Sequence, residues 1–222
     1  MSLPLIIFGA GSLAKLVYHL ATSELELNVL AFAVDEFAKT SNQMLGIPII
    51  SRNELENTYS PQEVLLFSAI GYKSMRQRAR VTNHLMSKGW QMTTLVSPAA
   101  NVAKSAKLGK NCIVMAGTVI EPEAKLLDNN IIWSNSTVCH ESSIGSDNFF
   151  ASNSTIGGEV TIGDQCFFGF SSTVLQRRVI GDNVLIGASS LLTKNALSNG
   201  CYIGVPAKRV KEIPLDEGIK VF

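Results

Sequence analysis

The chain has 222 residues, 46% hydrophobic and 17% charged, and its 19 Lys and Arg against 18 Asp and Glu leave a formal charge of +1. So even a balance excludes a nucleic-acid binder working through a strong positive field, and no apolar run approaches the roughly eighteen residues of a membrane helix. Neither nucleic acid nor a membrane is an expected partner, and the length suits one large domain or two small ones.

The chain opens on MSLPLIIFGAGSLAKL, with no charged segment ahead of the apolar run such as a secretory leader carries, which predicts a cytoplasmic location. LPLIIF reads as a short buried strand, GAGS as a tight turn, and the stretch after it as an amphipathic helix with Ala14, Val17, Tyr18 and Ala21 on its apolar side. NVLAFAVDEF reads as a second buried strand ending at Asp35, EVLLFSAIGY as another ending near Gly71, and SMRQRARVTNHLMSKG as a helix with a basic face. MTTLVSP then leads out. Strands alternating with helices predict a parallel α/β sheet, a Rossmann-like half domain over residues 1–98.

Gly9, Gly11 and Ala14 fit the G-x-G-x-x-G/A spacing, and Asp35 stands about twenty residues further on, where a ribose-binding acid is expected. Glycines let the backbone approach a phosphate, and the helix behind them offers unpaired N–H groups at the positive end of its dipole. Fewer than a hundred residues hold about half of the two-lobed unit a dinucleotide needs, so a mononucleotide fits better. The same residues also suit plainer roles: a turn that needs glycine and, for Asp35, a surface or helix-capping acid.

Further on the period changes, because an apolar residue recurs at every sixth position from Val102 to Leu192, sixteen times in phase without an insertion. A helix calls for spacings of three and four and a half-exposed strand for two, so six marks an internal repeat. The residue after each anchor is often glycine, as at Gly109, Gly145 and Gly163, and the residue four after it is usually small, as at Ala106, Ser142 and Ala196. Each hexad then supplies one short strand and a turn, its aliphatic pointing into a narrow prism, the small residue beside the corner and the glycine easing the bend. Three hexads close a triangular coil, so the repeat makes about five coils stacked roughly 4.8 Å apart. Residues 99–222 are therefore expected to form an all-β parallel β-helix with a C-terminal tail. Its left hand comes by resemblance to hexapeptide-repeat solenoids.

Four cysteines fall at 112, 139, 166 and 201. Cys112 and Cys166 point inward but lie three coils apart, roughly 14 Å, so free thiols are expected. Packing occupies the middle of each coil, which leaves chemistry to the corners and to the groove between neighbouring subunits. Of three histidines, His19 and His84 lie on helices and read as partly exposed, whereas His140 stands two after the anchor Val138, at a corner. A single imidazole among the coils leaves no three-histidine zinc set of the kind carbonic anhydrases on this architecture use, so no metal is expected.

In their order and over nearly the whole chain, IFGAGSLAK, AFAVDE, AIGYKSMRQR, VCHESSIG, STIGGEVTIG and IGVPAKRVK resemble the bacterial nucleotide-amino-sugar acyltransferases of the bacillosamine-pathway type, close to the sialic acid O-acetyltransferases. The resemblance implies an N-acyltransferase using an acyl-coenzyme A, foremost acetyl-CoA. Its acceptor would be a nucleotide-linked amino sugar such as a 4-amino-4,6-dideoxy hexose, made for a cell-surface glycan. It makes His140 the general base, Glu141 its orienting partner and Gly158 the backbone donor lying against the thioester. Coenzyme A is assigned to Gly158, Ala188, Pro206, Ala207, Lys208 and Arg209, the two basic residues meeting phosphates. Gly9, Gly11 and Ser12 are placed near the sugar nucleotide's phosphates, Asp35 near its ribose or base, and Gly71 and Lys73 of GYKS near a phosphate.

Many members carry a second histidine nine residues after the base; here Phe149 stands there, which implies a more apolar pocket suited to a longer or different acyl chain. A homotrimer with sites between subunits completes the expectation. The residues themselves agree with the chemistry, since acyl transfer needs a free lone pair on the amine and imidazole titrates near neutrality in water. Two other readings stay open: O-acetylation of a sugar hydroxyl, and a non-catalytic binding or scaffold protein on the same fold.

Overall fold

The computed structural model describes residues 3–221. They form two compact units, one made of the residues up to Gly71 with Arg80–Leu95, the other of Tyr72–Ala79 with the residues from Val96 on. Tyr72–Ala79, within the α/β portion of the sequence, thus clusters with the second unit.

The first unit is built from β1 (Leu5–Phe8), α1 (Ser12–His19), β2 (Val29–Val34), β3 (Gln43–Met44), β4 (Ile47–Ser51), α2 (Arg52–Thr58), β5 (Leu65–Ser68), part of α3 (Met75–Ser87) and β6 (Gln91–Met92). The sheet runs β3-β4-β2-β1-β5-β6, parallel throughout except for β3 at its edge. LIIF, VLAFAV and LLFS show no polar alternation and are almost wholly buried, as central parallel strands are. Ile6, Phe8, Ala33, Leu66, Leu85 and Trp90 lie in one core cluster. The sequence reading passed over β3, β4 and α2, although Ser51-Arg52-Asn53-Glu54 spells a capping box: Ser51 Oγ accepts from the Glu54 N–H, and the Glu54 carboxylate accepts from the Ser51 N–H.

In the second unit every anchor from Val102 to Leu192 is the second residue of a two-residue strand. Strands pair in parallel with those eighteen residues away, giving three ladders, as in Ile113↔Ile131↔Phe149↔Phe167, Val119↔Thr137↔Thr155↔Thr173 and Lys125↔Ser143↔Thr161↔Val179. The anchors fill the prism, with Phe150 and Phe168 stacked at 4.7 Å. The small residues four after them are buried too, from Cys112 and Thr118 to Ser172 and Ser190.

The bend is made differently from the sequence expectation. At corner after corner the residue three past the anchor has a left-handed backbone, and it is seldom glycine: Asn129 (φ 58°), Glu141 (58°), Asp147 (65°), Asn153 (62°), Glu159 (58°) and Arg177 (60°). That conformation costs about 1–2 kcal/mol for an L-residue. A hydrogen bond to the coil below offsets it, as in Asn129 N–H to Lys110 O (2.7 Å) and Glu159 N–H to His140 O (2.9 Å). The glycines after the anchors serve clearance instead. A Cβ on Gly145 would lie 2.6 Å from Gly163 O, and one on Gly157 2.6 Å from Gln176 N, in both cases backbone of the next coil.

After Leu192 the register shortens. Ala196, expected as a small corner residue, bridges to Ile180 in an anchor's place, and Leu185 pairs with Cys201, sixteen residues on. The expected tail is instead an antiparallel hairpin, Gly200–Gly204 with Ala207–Glu212, joined to the ladder of Phe149.

That ladder's outward side chains are buried within the chain: Ile113, Ile131, Phe149 and Phe167 are all under 9% exposed. Phe149 stacks on Phe167 (5.1 Å, 3° between planes) and meets Tyr72 at 4.6 Å. Nearby, Arg78 is wholly buried; its guanidinium donates to the carbonyls of Asp147 (2.9 Å) and Asn129, and Asn129 links Asn111 to Asp147. Burial pulls the Arg78 guanidinium down to about 10, against the pull of Asp147 upward. All four cysteines are free, and burial pushes Cys166 up to about 12. No helix among the described residues is long and apolar enough to cross a membrane.

Because the Gly145 Cβ site is occupied by backbone, Gly145→Ala should destabilise the chain by about 1–3 kcal/mol, seen as a lowered midpoint in urea with an unchanged slope.

Candidate functional site

In the first unit the fingerprint residues meet at the carboxyl ends of β1 and β5. Gly9 follows β1 with φ +129°, and a Cβ there would lie 2.8 Å from Ala69 O, just past β5, so both conformation and close approach demand glycine. The order β4-β2-β1-β5 reverses direction between β1 and β5, the crevice where open parallel sheets bind ligands. Gly11 is the N-cap of α1, no side chain caps it, and no acid occupies the first turn. Its N–H groups therefore remain a fit for an anion, with Ser12 exposed beside them. The start of α2 is closed by contrast: Ser51 caps it, and the Glu36 carboxylate, held low by that contact, accepts from Asn53 N–H at 2.8 Å.

Asp35 stands past the end of β2 as expected, but one of its oxygens is taken by Arg52 Nη2 at 2.6 Å, and the guanidinium lies over the Phe8 ring at 5.0 Å. Sequence reasoning missed Arg52, which carries no motif of its own. Gly71 belongs to the first unit. Lys73 belongs to the second and is exposed there, its carbonyl accepting from Val221 N–H.

In the second unit His140 lies at the corner between the ladders of Thr155 and Thr161, and its ring reaches up over the next coil. A Cβ built on Gly158 would sit 2.6 Å from His140 Nε2 and 2.8 Å from Cε1, so the imidazole occupies the place a side chain would take. Gly158 is absent from the residues of positive φ, which makes clearance for the ring, and not the turn, its reason for being glycine. Among the described residues the Gly158 N–H meets no acceptor. The left-handed turn at Glu141 brings its carboxylate to the histidine's side of the corner, where Oε1 stands 4.0 Å from His140 Nδ1. That distance is beyond a hydrogen bond, yet both side chains are more than half exposed and free to close it.

Around them the other acids are engaged. Glu159 pairs with Arg177 at 3.0 Å, and Glu121, which the sequence reading did not single out, accepts from the His140 backbone N–H at 2.8 Å. Burial, with Glu121 beside it, pushes the neighbouring Cys139 thiol up. The arrangement leaves Nε2 beside Gly158 and Nδ1 toward a carboxylate on a half-exposed ring, which suits a general base.

Phe149 does not join this corner within the chain, since its ladder forms the face across the prism from His140. Ala188 is exposed at another corner, the one between the ladders of Phe149 and Thr155. Pro206 sits at the tip of the hairpin, followed by Ala207 and exposed Lys208; Arg209 spends two hydrogen bonds on the carbonyls of Ser198 and Asn199. His19 and His84 are exposed on their helices.

Residues 4–83 match the PglD N-terminal domain, residues 105–140 the bacterial transferase hexapeptide of six repeats, and residues 179–193 the hexapeptide repeat of succinyl-transferase. No curated protein sequence matches the chain. Among solved structures, the acetyltransferase domain of PglB from Neisseria gonorrhoeae FA1090 superimposes with a TM-score of 0.85 at 25% identity, over 94% of this chain and 100% of that one. The same domain in complex with acetyl coenzyme A gives 0.85 and 25% over 95% and 100%. PerB from Caulobacter crescentus, in complex with CoA and GDP-perosamine, gives 0.83 and 26% over 95% and 100%.

Gly158→Ala should push the imidazole aside at little cost to the fold, because the obstructing atoms are the end of a flexible side chain. Among the three histidines, only the His140 ring resonances should move, with the melting midpoint held within about 2 °C.

Proposed function

Since the chain belongs to the hexapeptide-repeat acyltransferases that carry a PglD-type N-terminal domain, we propose that it transfers an acyl group from acyl-coenzyme A, foremost acetyl-CoA, to the amine of a nucleotide-linked sugar. The acceptor is a 4-amino-4,6-dideoxy hexose destined for a cell-surface glycan, and the work is done in the cytoplasm. One observation carries the reading: the His140 imidazole lies directly against Gly158, a residue with neither side chain nor an acceptor for its N–H among the described residues. PglB and PerB, similar in fold over their whole length, are an acetyltransferase domain seen with acetyl coenzyme A and a protein seen with CoA and GDP-perosamine.

In this reading His140 Nε2 removes a proton from the sugar amine as its nitrogen attacks the thioester carbonyl. Glu141 turns onto Nδ1–H, fixes the tautomer and stabilises the imidazolium. The oxyanion forms beside the Gly158 N–H, and its collapse expels the coenzyme A thiolate, which the imidazolium reprotonates. Lys208 and Arg209, with Ala188, Pro206 and Ala207 as wall, receive coenzyme A; Arg209 has to share its guanidinium with the carbonyls it already holds. Gly9, Gly11 and Ser12 take the sugar nucleotide's phosphates at the open start of α1, Asp35 the ribose or base beside Arg52, and Gly71 and Lys73 a phosphate. Phe149, 4% exposed and packed against Tyr72 and Phe167 of its own chain, offers no free face for the apolar acyl pocket expected from it, and the sites lie between the subunits of a homotrimer.

Acetyl-CoA incubated with a panel of nucleotide-linked amino sugars, GDP-perosamine included, should release free thiol and give an acetylated product stable to mild alkali, as an amide is and an ester is not. His140→Ala should lower kcat by about 10²–10⁴-fold, and full turnover by that variant would end the assignment. Light scattering should return the mass of three 23.9 kDa chains; a monomer that turns over at full rate would remove the shared site.

A further inference from the structure

The corner that carries His140 is braced in a way the neighbouring column is not. At Lys110, Ser146 and Asp164, the residues two past an anchor on the corner between the ladders of Thr161 and Phe149, the backbone N–H is held by an aspartate of the next coil in the same column. The distances are 2.7 Å to Asp128, 2.6 Å to Asp164 and 2.8 Å to Asp182. The corresponding residue above His140 is Gly158, and a side chain there would strike the imidazole. Making room for the ring therefore removes any brace from above. The His140 N–H is met from below instead: Glu121, half-buried and one coil down on the neighbouring position, accepts from it at 2.8 Å.

We propose that Glu121 is a positioning residue for His140: its carboxylate supplies, from the coil beneath, the backbone brace that Gly158 cannot supply from above, and so holds the imidazole over Gly158. The proposal rests on reading His140 as the base, and it accounts for an acid that touches neither ring nitrogen. The His140 peptide is pinned on both sides, since its N–H goes to Glu121 and its carbonyl accepts from Glu159 N–H at 2.9 Å. Other charges near the ring are accounted for: Glu141 faces Nδ1, and Glu159 is tied to Arg177. Without Glu121 the backbone at 140 gains freedom, and an ångström of freedom at the base is felt in kcat before it is felt in the binding of either substrate.

The test uses the full chain labelled with [15N]histidine. With three histidines there are three backbone amide signals, and His140→Ala identifies its own by removing it. Glu121→Ala should shift that signal, raise its exchange with solvent about tenfold and lower kcat about tenfold, with KM for acetyl-CoA kept within about twofold. Glu121→Gln keeps an acceptor oxygen at the same reach and should restore both, with melting midpoints of both variants within about 3 °C of the parent. An unchanged amide exchange in Glu121→Ala, or a glutamine variant as impaired as the alanine one, overturns the proposal. If Glu121→Ala frees the amide while His140→Ala turns over normally, the brace stands and the base assignment is what fails.

Discussion

The stacking of each residue on the one eighteen positions later governs the second unit. Strand pairs such as Thr137↔Thr155↔Thr173 fix the separation of coils, and the corner N–H bonds to the coil below hold it where the strands end. With backbones locked at that spacing, side chains at a corner compete for the space of their stacked neighbours. Gly145 and Gly157 concede it to backbone, whereas Gly158 concedes it to a histidine ring. A packing rule of the solenoid thus sets where the imidazole lies.

This constraint also sets which acids serve the histidine. A corner acid within reach of its own stacked neighbour tends to be consumed by it, as Asp164 and Asp182 are by the amides one coil below and Glu159 is by Arg177. Glu141 shares the histidine's own coil, and its left-handed backbone turns it back toward Nδ1. In the first unit a similar sorting holds, for α2 is sealed by Ser51 and Glu36 while α1 begins on an uncapped glycine.

Periodic interactions were the ones open to reading from the sequence. The anchors were legible because each meets the same demand, an apolar chain pointing into the prism, and the structure buries them from Val114 to Leu192. The bend differs from the expectation: asparagine, glutamate or arginine can adopt a left-handed backbone when the coil below fixes it, so no glycine need mark the place. Ala196 kept the phase in sequence while the coil around it lost two residues, so that a single bridge from Ala196 to Ile180 stands in place of the last regular strand. The contact of His140 with Gly158 was legible from the eighteen-residue count, which stacks one on the other. Glu121 and Arg52 were not, because their contacts, to the His140 N–H and to Asp35 and the Phe8 ring, follow no repeat and leave no recurring trace. The burial of Phe149 escaped for a different reason, as Tyr72 approaches it from a stretch distant in sequence.

Tyr72, Met75 and Arg78 come from the middle of the α/β portion of the chain, yet their segment clusters with the coils, and Arg78 spends its buried guanidinium on the carbonyls of Asn129 and Asp147. In sequence the first unit is thus interrupted by a stretch that belongs to the second. Exchanging the residues up to 95 for those of another chain would exchange Arg78 with them, and without an arginine in its place the buried carbonyls of Asn129 and Asp147 would lose their donor.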